Sequence, residues 1–343
     1  MDFRLSDDQR ALRAGMRDLL AARFPREKLR EAVESEVGGT AGLDRTLWRE
    51  LGEAGLFSLR LPEVDGGAAL GLPEAVLLFE EAGRVLLPGP LVATHLAAGL
   101  VPGAAEGTAV VTALESSGTV EHLGSADAVL LLGGPTVRVL EPGDSWPPAM
   151  GPARPLTSVD PATPLHHVPE AGGVPLAAVP VAGAPDAALL CREASLLTAA
   201  QQLGSAVRTL WMAVSHVQDR RQFGRPVGAF QAVQHLCANM LARTEIARSS
   251  VYAASLTVTP SDISGAKLLA DEAAVRNARD CLQLHGGVGF TWDADVHLHL
   301  KRAWVRRMQW QSTAEAEEEL AAALLGGPEN CSAEIANRTN GAV

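Results

Sequence analysis

The sequence predicts a mostly α-helical protein in which a small β region lies between two helical regions. Near the N-terminus, and again from about Asp186 onward, apolar residues recur at helical spacing. Between residues 102 and 185 the chain instead carries short apolar runs separated by Gly and Pro clusters, which is typical of strands. Because strands and helices do not alternate, this order argues against a doubly wound α/β sheet. We expect an N-terminal helical domain (1–100), a middle β domain (101–186), a C-terminal four-helix bundle (187–325) and a tail (326–343).

In the N-terminal region the first helix is predicted from Leu5 to about Arg30. Ser6 is a suitable starting residue, and Pro25 predicts a break or kink because it cannot donate a backbone hydrogen bond. Two further helices are predicted over Asp44–Ala54 and Pro73–Val85. Pro73 suits the first turn of its helix, because a backbone N–H at that position has no intrahelical acceptor and proline lacks this N–H.

In the middle region four runs predict a small antiparallel sheet. They are Ala109–Ala113, Ala128–Leu132, Val137–Leu140 and Ala177–Val181. The density of proline argues against a helix through Pro142–Pro169.

The third region is rich in alanine and almost free of proline. Its predicted helices cover Ala187–Gln222, Ala229–Leu256, Ser261–Leu284 and Asp295–Leu325. Long helices joined by short breaks are typical of an antiparallel four-helix bundle.

Composition excludes several classes of function. A net charge of −11 over 343 residues does not offer the large basic surface that nucleic-acid binding needs. The four cysteines lack CxxC spacing, so we expect reduced thiols and no zinc site: Cys191, Cys237, Cys281 and Cys331. The N-terminus lacks the apolar core of a signal peptide, and no apolar run is long enough for a membrane span. We therefore expect a cytoplasmic protein without a metal ion.

One candidate ligand-binding segment is the turn RRQFGRP at Arg220–Pro226. Two arginines at a helix–helix turn can bind a phosphate or a carboxylate. The helix that begins around Ala229 or Phe230 adds free N–H groups and the positive end of a helix dipole. A cationic helix end with a packing phenylalanine explains the same residues, and the turn alone leaves both interpretations open.

A second candidate is the segment QLHGGVGFT at Gln283–Thr291. Glycines at the end of a long helix let a ligand or a neighbouring chain approach the backbone closely. The segment does not follow a strand, so it is not a Rossmann fingerprint. A plain helix end with a glycine turn is the alternative.

Together, the motifs RxQFGxP, FQ and QxHGGxGF resemble the acyl-CoA dehydrogenase family. The resemblance covers nearly the whole chain, since residues 55–67 (GLF, LPE and GG) are similar to the family's N-terminal domain. Residues 82–90 (AGRVLLPGP) are similar to members from actinobacterial lipid and steroid degradation.

The resemblance implies a helix–β–helix flavoprotein that binds FAD between subunits and forms an α,β-double bond in an acyl-CoA. An electron-transfer flavoprotein would then reoxidise the flavin. The implied FAD contacts are Arg220 with the pyrophosphate, Phe223 beside the adenine and ribose, Gln231 on the adenine side, and Gln283, Gly286 and Gly287 along the dinucleotide.

The sequence departs from the family at the catalytic base. In many members a Tyr-Glu-Gly-Thr segment supplies the base, but the matching residues 308–313 (MQWQST) contain no acid. Other members carry the base early in the first bundle helix, where Glu193 lies about one residue out of register. Asp293 is a third candidate. We interpret Glu193 as an exposed first-turn residue and Asp293 as the N-cap of the last helix, so the base is left unassigned.

A second departure concerns the middle domain, which has neither the Thr-Glu-Pro-like strand nor the Trp-Ile-type strand that cover the flavin. The tryptophan of this region, Trp146, lies in a Pro-flanked loop. The chain thus keeps the residues donated to a neighbour's FAD and lacks those that cover its own flavin, so we expect a reduced middle domain.

These departures predict the short, non-catalytic, FAD-completing subunit of a heteromeric acyl-CoA dehydrogenase, paired with a longer homologue. A homo-oligomer is the alternative assembly. The alternative functions are a purely structural subunit without flavin, and a flavin-dependent monooxygenase or desaturase on the same fold.

Other polar residues of the last predicted helix are expected on its surface. They are His297 and His299, the basic residues Lys301, Arg302, Arg306 and Arg307, and the acidic run Glu315–Glu319. An interface position for the histidines, and a contact of the basic residues with a CoA or FAD phosphate, are the alternatives. The i, i+2 spacing points the two histidines apart, which argues against a metal site.

Overall fold

The computed structural model of the chain describes residues 4–37, 42–115, 118–140, 153–168 and 178–326. The helices of these residues are α1 (Asp7–Arg23), α2 (Arg26–Val37), α3 (Arg45–Glu53), α4 (Leu72–Arg84), α5 (Leu91–Ala97), α6 (Ala187–Asp219), α7 (Gln231–Thr257), α8 (Pro260–His285), α9 (Val296–Arg306) and α10 (Thr313–Leu325). The strands are β1 (Val111–Leu114), β2 (Thr119–Glu121), β3 (Ala128–Leu131), β4 (Arg138–Leu140), β5 (Arg154–Leu156), β6 (Leu165–His167), β7 (Val179–Pro180), β8 (Arg221–Gln222) and β9 (Arg225–Pro226). The predicted mostly α fold class, with a small β region between two helical regions, is confirmed.

The N-terminal helices begin where the sequence predicts. The Ser6 hydroxyl accepts from the Gln9 N–H at 3.1 Å, and the Gln9 side chain accepts from the Ser6 N–H at 3.0 Å, which is a reciprocal cap. The predicted break at Pro25 separates α1 from α2. Helix α5 was not predicted, because every one of its residues is buried and it shows no alternation of apolar and polar faces.

The described residues of the β region form two small sheets, and the prediction of a purely antiparallel sheet was wrong. The larger sheet has the order β1-β3-β4-β7, in which β1 and β3 are parallel. Strand β2 and a short 3-10 turn at Leu123–Ser125 lie between these two strands in the chain, so β3 can re-enter the sheet in the direction of β1. The smaller sheet, β2-β6-β5, is antiparallel. Its strands were not predicted. The described part of the Pro-rich segment, 153–168, contains strands and no α-helix.

The described part of the C-terminal region, residues 178–326, contains three long helices and two short ones. The helix predicted over Asp295–Leu325 is divided by a turn at residues 307–312, which is a correction. At this turn Trp310 adopts a φ of +65°, which a helix cannot contain. Ser312 then caps α10 together with Glu315.

Helix α6 lies at the centre and packs closely against α4. A Cβ added at Gly204 of α6 would lie 2.0 Å from the Glu80 carbonyl oxygen, and one at Gly83 of α4 would lie 2.1 Å from the Gln201 oxygen. Glycine at both positions therefore lets the two backbones approach one another.

One apolar core runs from Met16 of α1 through Val111 of β1 to Ala273 of α8. The N-terminal helices, the β region and the bundle share it. The division into domains at residues 100, 186 and 325 stays a prediction. The three described cysteines are free thiols, while Cys331 and Trp146 lie outside the described residues. Within the described residues, no helix combines the length and the apolar character that crossing a membrane requires.

Candidate functional site

The first predicted motif forms a tight hairpin between α6 and α7. Strands β8 and β9 pair through Arg221 and Gln222, and Phe223 and Gly224 at the turn have φ values of +52° and +78°. A two-residue hairpin turn with both φ values positive is favoured by the strand twist, although such a φ is uncommon for phenylalanine. The turn presents the Phe223 side chain to solvent, with 90% of it exposed.

The hairpin is supported by packing against the start of α7. The Arg225 guanidinium lies 4.1 Å from the centre of the Phe230 ring, a cation–π geometry. The rings of Phe223 and Phe230 meet edge to face at 6.1 Å. Gln231, the first residue of α7, is exposed beside them.

The second predicted motif ends α8. Gly286 has a φ of +62°, and a Cβ at Gly286 or Gly287 would meet no atom within 4 Å. The backbone at these glycines is therefore open to solvent, and a ligand can reach it. Gln283 lies in the last turn of α8 and is exposed.

A histidine pair joins the two motifs. The rings of His216, in the last turn of α6, and His285, at the end of α8, are stacked with centroids 4.1 Å apart. Arg220 follows His216 by one helical turn and is exposed. Burial, together with the charges of His285 and Arg220, lowers the pKa of His216, which favours a neutral ring at neutral pH. Both motifs thus lie at one end of the bundle.

The bundle end offers a donor set suited to a dinucleotide. An exposed guanidinium, amide side chains and open backbone can bind phosphate and polar base edges. The six predicted contact residues are exposed: Arg220, Phe223, Gln231, Gln283, Gly286 and Gly287. Their roles toward FAD stay predictions.

The segment matched to the family's base holds an amide in place of a carboxylate. The Gln311 Nε2 group donates to the Ser264 hydroxyl at 2.8 Å, and its Oε1 accepts from the Ser195 hydroxyl at 3.2 Å. Beside it, the Trp310 N–H donates to Glu115 at 2.9 Å. Gln311 is therefore fixed between α6 and α8 and has no proton-accepting group of suitable basicity.

The interpretation of Glu193 as an exposed first-turn residue was wrong. Its side chain is only 10% exposed and lies in the seventh position of α6. The Arg60 guanidinium donates to both carboxylate oxygens at 2.6 and 2.8 Å. The loop at Arg60 is far from Glu193 in the chain, so no local pattern in the sequence indicates this pair.

The interpretation of Asp293 as a helix cap was also wrong. Asp295 immediately precedes α9, and it accepts from Arg26 and Arg30 at 2.5 to 3.1 Å. Asp293 is exposed, and its carbonyl oxygen accepts from Arg26.

A cavity of about 460 Å³ lies between the β region and the end of α9. Trp304, Met308 and Trp310 form its bundle wall, and its lining includes Glu115 and Glu121. Burial raises the pKa of Glu121, which accepts from the Gln309 amide at 2.9 Å.

The expected surface position of the α9 polar residues was wrong for three of them. His299, Arg302 and Arg306 are only 2%, 3% and 4% exposed. His299 Nδ1 shares a hydrogen bond with the Ser205 hydroxyl at 2.8 Å, and Arg302 pairs with Asp160. Burial and the nearby charge of Arg302 lower the pKa of Arg306 to about 9. The acidic residues of the α10 run, Glu315 and Glu317–Glu319, are exposed, as predicted.

One pattern in the sequence could have predicted that these polar residues are buried. Positions 299, 302, 303 and 306 share one face of α9 at i, i+3, i+4 and i+7 spacing. That face also carries Val296 and Leu300, both buried, so it is the core face. Among the described residues no group of three His, Cys, Asp or Glu side chains could hold a metal ion.

Comparison with known proteins matches most of the chain to one family. Residues 6–127 match the model of the acyl-CoA dehydrogenase N-terminal domain, and residues 192–315 match that of the C-terminal domain. The chain is 31% identical over 320 residues to the acyl-CoA dehydrogenase IpdE2 of Mycobacterium tuberculosis, covering 91% of this chain and 97% of that protein. It is 33% identical over 310 residues to IpdE2 of Mycolicibacterium smegmatis, covering 87% and 93% of the two chains.

Solved structures share the fold. A chain of the ChsE4–ChsE5 complex from Mycobacterium tuberculosis superposes with a TM-score of 0.78 at 23% identity, covering 96% of this chain and 100% of that one. A variant of the Tcur3481–Tcur3483 steroid ACAD gives 0.78 at 24% identity, covering 94% and 99%. A glutaryl-CoA dehydrogenase from Mycobacterium smegmatis, solved with FADH2, gives 0.77 at 17% identity, covering 94% and 96%.

Proposed function

The chain belongs to the acyl-CoA dehydrogenase family, and we propose that it is the non-catalytic, FAD-completing subunit of a heteromeric member. The reaction of the assembled enzyme is the α,β-dehydrogenation of an acyl-CoA thioester. Bound FAD supplies the acceptor for the hydride that leaves the β-carbon.

The proposal that this chain is non-catalytic rests on two positions where a base is expected. One holds an amide, and the other holds a carboxylate bound in an ion pair. Gln311 replaces the carboxylate of the family segment and is held by Ser195 and Ser264. Glu193 binds both of its oxygens to Arg60. A general base must reach the proton that it removes, and a glutamate enclosed in a bidentate ion pair is not available for that role.

The end of the bundle supports the FAD-completing part of the proposal. Arg220 would bind the pyrophosphate, because a guanidinium matches phosphate geometry. Phe223, which is almost fully exposed on its hairpin, would pack beside the adenine and ribose. Gln231 would hydrogen-bond on the adenine side. Gln283, Gly286 and Gly287 would line the dinucleotide, where the open backbone permits close approach.

Two of the similar solved structures are each named for a pair of proteins, which supports a heteromer with a longer homologous subunit. They are the ChsE4–ChsE5 complex and the Tcur3481–Tcur3483 enzyme. The Tcur3481–Tcur3483 enzyme is a steroid acyl-CoA dehydrogenase by name, which favours an acyl-CoA from lipid or steroid side-chain degradation. An electron-transfer flavoprotein would accept the electrons, as the family reaction requires.

Purification with and without the longer homologue tests the proposal. The chain should be produced alone and co-produced with the longer homologue, and both samples assayed for flavin absorbance, mass and acyl-CoA oxidation. We expect turnover and bound FAD only in the mixed assembly. Stoichiometric FAD with robust turnover by this chain alone would overturn the proposal.

A substitution at the bundle end tests the contact itself. Arg220→Gln in the mixed assembly should lower the FAD content by at least about tenfold at limiting FAD, since a charged hydrogen bond contributes about 1.5–3 kcal/mol. Arg49→Gln is the matched control, because Arg49 is exposed on α3. Equal FAD content in the two variants would contradict the role of Arg220.

A further inference from the structure

A crevice lies on the face of the bundle where α1 and α2 meet α4, α6 and α9. Its volume is about 310 Å³, at the lower end of the range for small-molecule sites. Leu20, Phe24, Leu29 and Met212 provide an apolar floor. We call the whole crevice the Arg208 crevice, after the arginine of α6 that lines it. None of the residues assigned above to FAD or to the base lines it.

Positive charge dominates the wall of the Arg208 crevice. Four guanidinium groups line it, against two carboxylates: Arg17, Arg26, Arg84 and Arg208, and Glu81 and Asp295. The carboxylates are already engaged. Glu81 accepts from Arg13 and Arg17 at 2.7 Å and also pairs with Arg84 at 3.3 Å. Asp295 accepts from Arg26 and Arg30. Arg208 makes no hydrogen bond or ion pair with any residue that the structure describes, so its charge is uncompensated.

Burial is the main cause of the lowered pKa of two neighbouring groups, and nearby positive charges add to it. Burial lowers the pKa of Arg84, and the charges of Arg17 and Arg13 lower it further against the opposing effect of Glu81. Burial and then the charge of Arg208 lower the pKa of His299 to about 3. A positive potential in a chain whose net charge is −11 indicates a surface that favours an anion.

Two helices also begin at the crevice. Arg26 is the first residue of α2, and Asp295 immediately precedes α9, where no side-chain cap is present. The free N–H groups and the positive dipole ends of both helices add to the attraction for an anion.

We propose that the Arg208 crevice binds an amphipathic carboxylate, such as a fatty acid. The carboxylate lies against Arg208 and Arg84, and the hydrocarbon chain covers the floor at Phe24 and Met212. A free phosphate would satisfy the guanidinium groups but would leave the apolar floor in contact with water. The floor therefore favours a ligand with a hydrocarbon chain.

Methyl NMR with decanoate as the probe tests the proposal on the full chain, in its assembly where one forms. Met212 lies in the Arg208 crevice, and Met308 lies in the separate cavity beside Trp310. We expect decanoate to shift the Met212 methyl signal saturably, while acetate and inorganic phosphate at the same concentration do not. A shift of Met308 without Met212, an equal effect of phosphate, or no saturable shift would overturn the proposal.

Matched charge reversals complete the test. Arg208→Glu should weaken decanoate binding by at least about tenfold, since a loss of about 1.4 kcal/mol changes affinity tenfold. Arg49→Glu makes the same change at an exposed site of α3 and should leave the affinity unchanged. Equal affinities in the two variants, with unchanged melting temperatures, would exclude the crevice as the site. The FAD content of the mixed assembly should not change in either variant, so this test is separate from that of the flavin half-site.

Discussion

The Arg60 guanidinium binds both oxygens of Glu193, at 2.6 and 2.8 Å, and so joins the loop after α3 to the central helix α6. The side chains are 30% and 10% exposed, so water screens the pair only in part. The ion pair gives the Glu193 carboxylate a partner from outside the bundle.

Replacing Glu193 by Gln in the mixed assembly should leave kcat unchanged and lower stability. Loss of the charge leaves Arg60 without its partner, which should cost about 1–3 kcal/mol because Arg60 keeps some contact with water. Acyl-CoA turnover and urea unfolding measure the two effects.

The matched control for this variant is Arg60→Gln, together with the double variant. If the two residues act as an ion pair, the double variant should lose less stability than the sum of the single variants. A large fall in kcat with Glu193→Gln, and none with Arg60→Gln, would instead identify Glu193 as the base.

Gly204→Ala should destabilise the protein by about 1–3 kcal/mol or prevent folding, because the new methyl group would overlap the Glu80 carbonyl of α4. Gly265→Ala is the matched control in α8, where a Cβ meets no atom within 4 Å. There the same change should stabilise the helix by about 0.5–1 kcal/mol. Melting temperatures that move in the same direction would contradict the close crossing of α4 and α6.

Lys267→Met should cost about 3–5 kcal/mol, because it leaves a buried carboxylate without its cation. The Lys267 Nζ donates to Asp271 at 2.5 Å, and Gln202 donates to the other oxygen at 2.8 Å. Burial already raises the pKa of Asp271. The double variant Lys267→Met, Asp271→Leu should recover most of the loss in urea unfolding. No recovery would mean that the pair acts through packing and not through charge.

The sequence predicted all the long helices and some of the short strands, and it missed the other short elements for a physical reason. Helices α6, α7 and α8 are long enough for apolar residues to repeat over several turns. Strands β2, β5 and β6 have three residues each, too few to show alternation. These strands form because β6 pairs with both β2 and β5. Such pairing joins distant parts of the chain and leaves no local pattern in the sequence.

In the candidate site, too, the sequence predicts local features and misses those that depend on tertiary contacts. The motifs at Arg220 and Gln283 are local, and the sequence alone located both. The polar residues buried on α9 depend on distant partners, since Arg302 meets Asp160 of the β region and His299 meets Ser205 of α6. A polar or charged residue in a helix is predicted on the surface unless its buried partner is known. That partner is distant in the chain, so only the folded structure reveals it.

Buried neutral histidines should make the protein sensitive to acid. Burial lowers the pKa values of His95, His122 and His299 to about 4, 3 and 3, below the usual value of about 6.5. Between about pH 6.5 and these values the unfolded chain binds protons that the native chain does not. Stability must therefore fall as the pH falls through this range, by up to about 1.4 kcal/mol per pH unit for each histidine.

Urea unfolding at pH 7, 6 and 5 measures this slope. His299→Gln removes one buried titrating group and should reduce the slope, whatever its effect on absolute stability. His235→Gln is the matched control, because it makes the same change at a histidine that is exposed on α7. If the two variants have equal slopes, His299 is protonated equally in the native and unfolded chains. Its burial against Ser205 would then not hold the ring neutral.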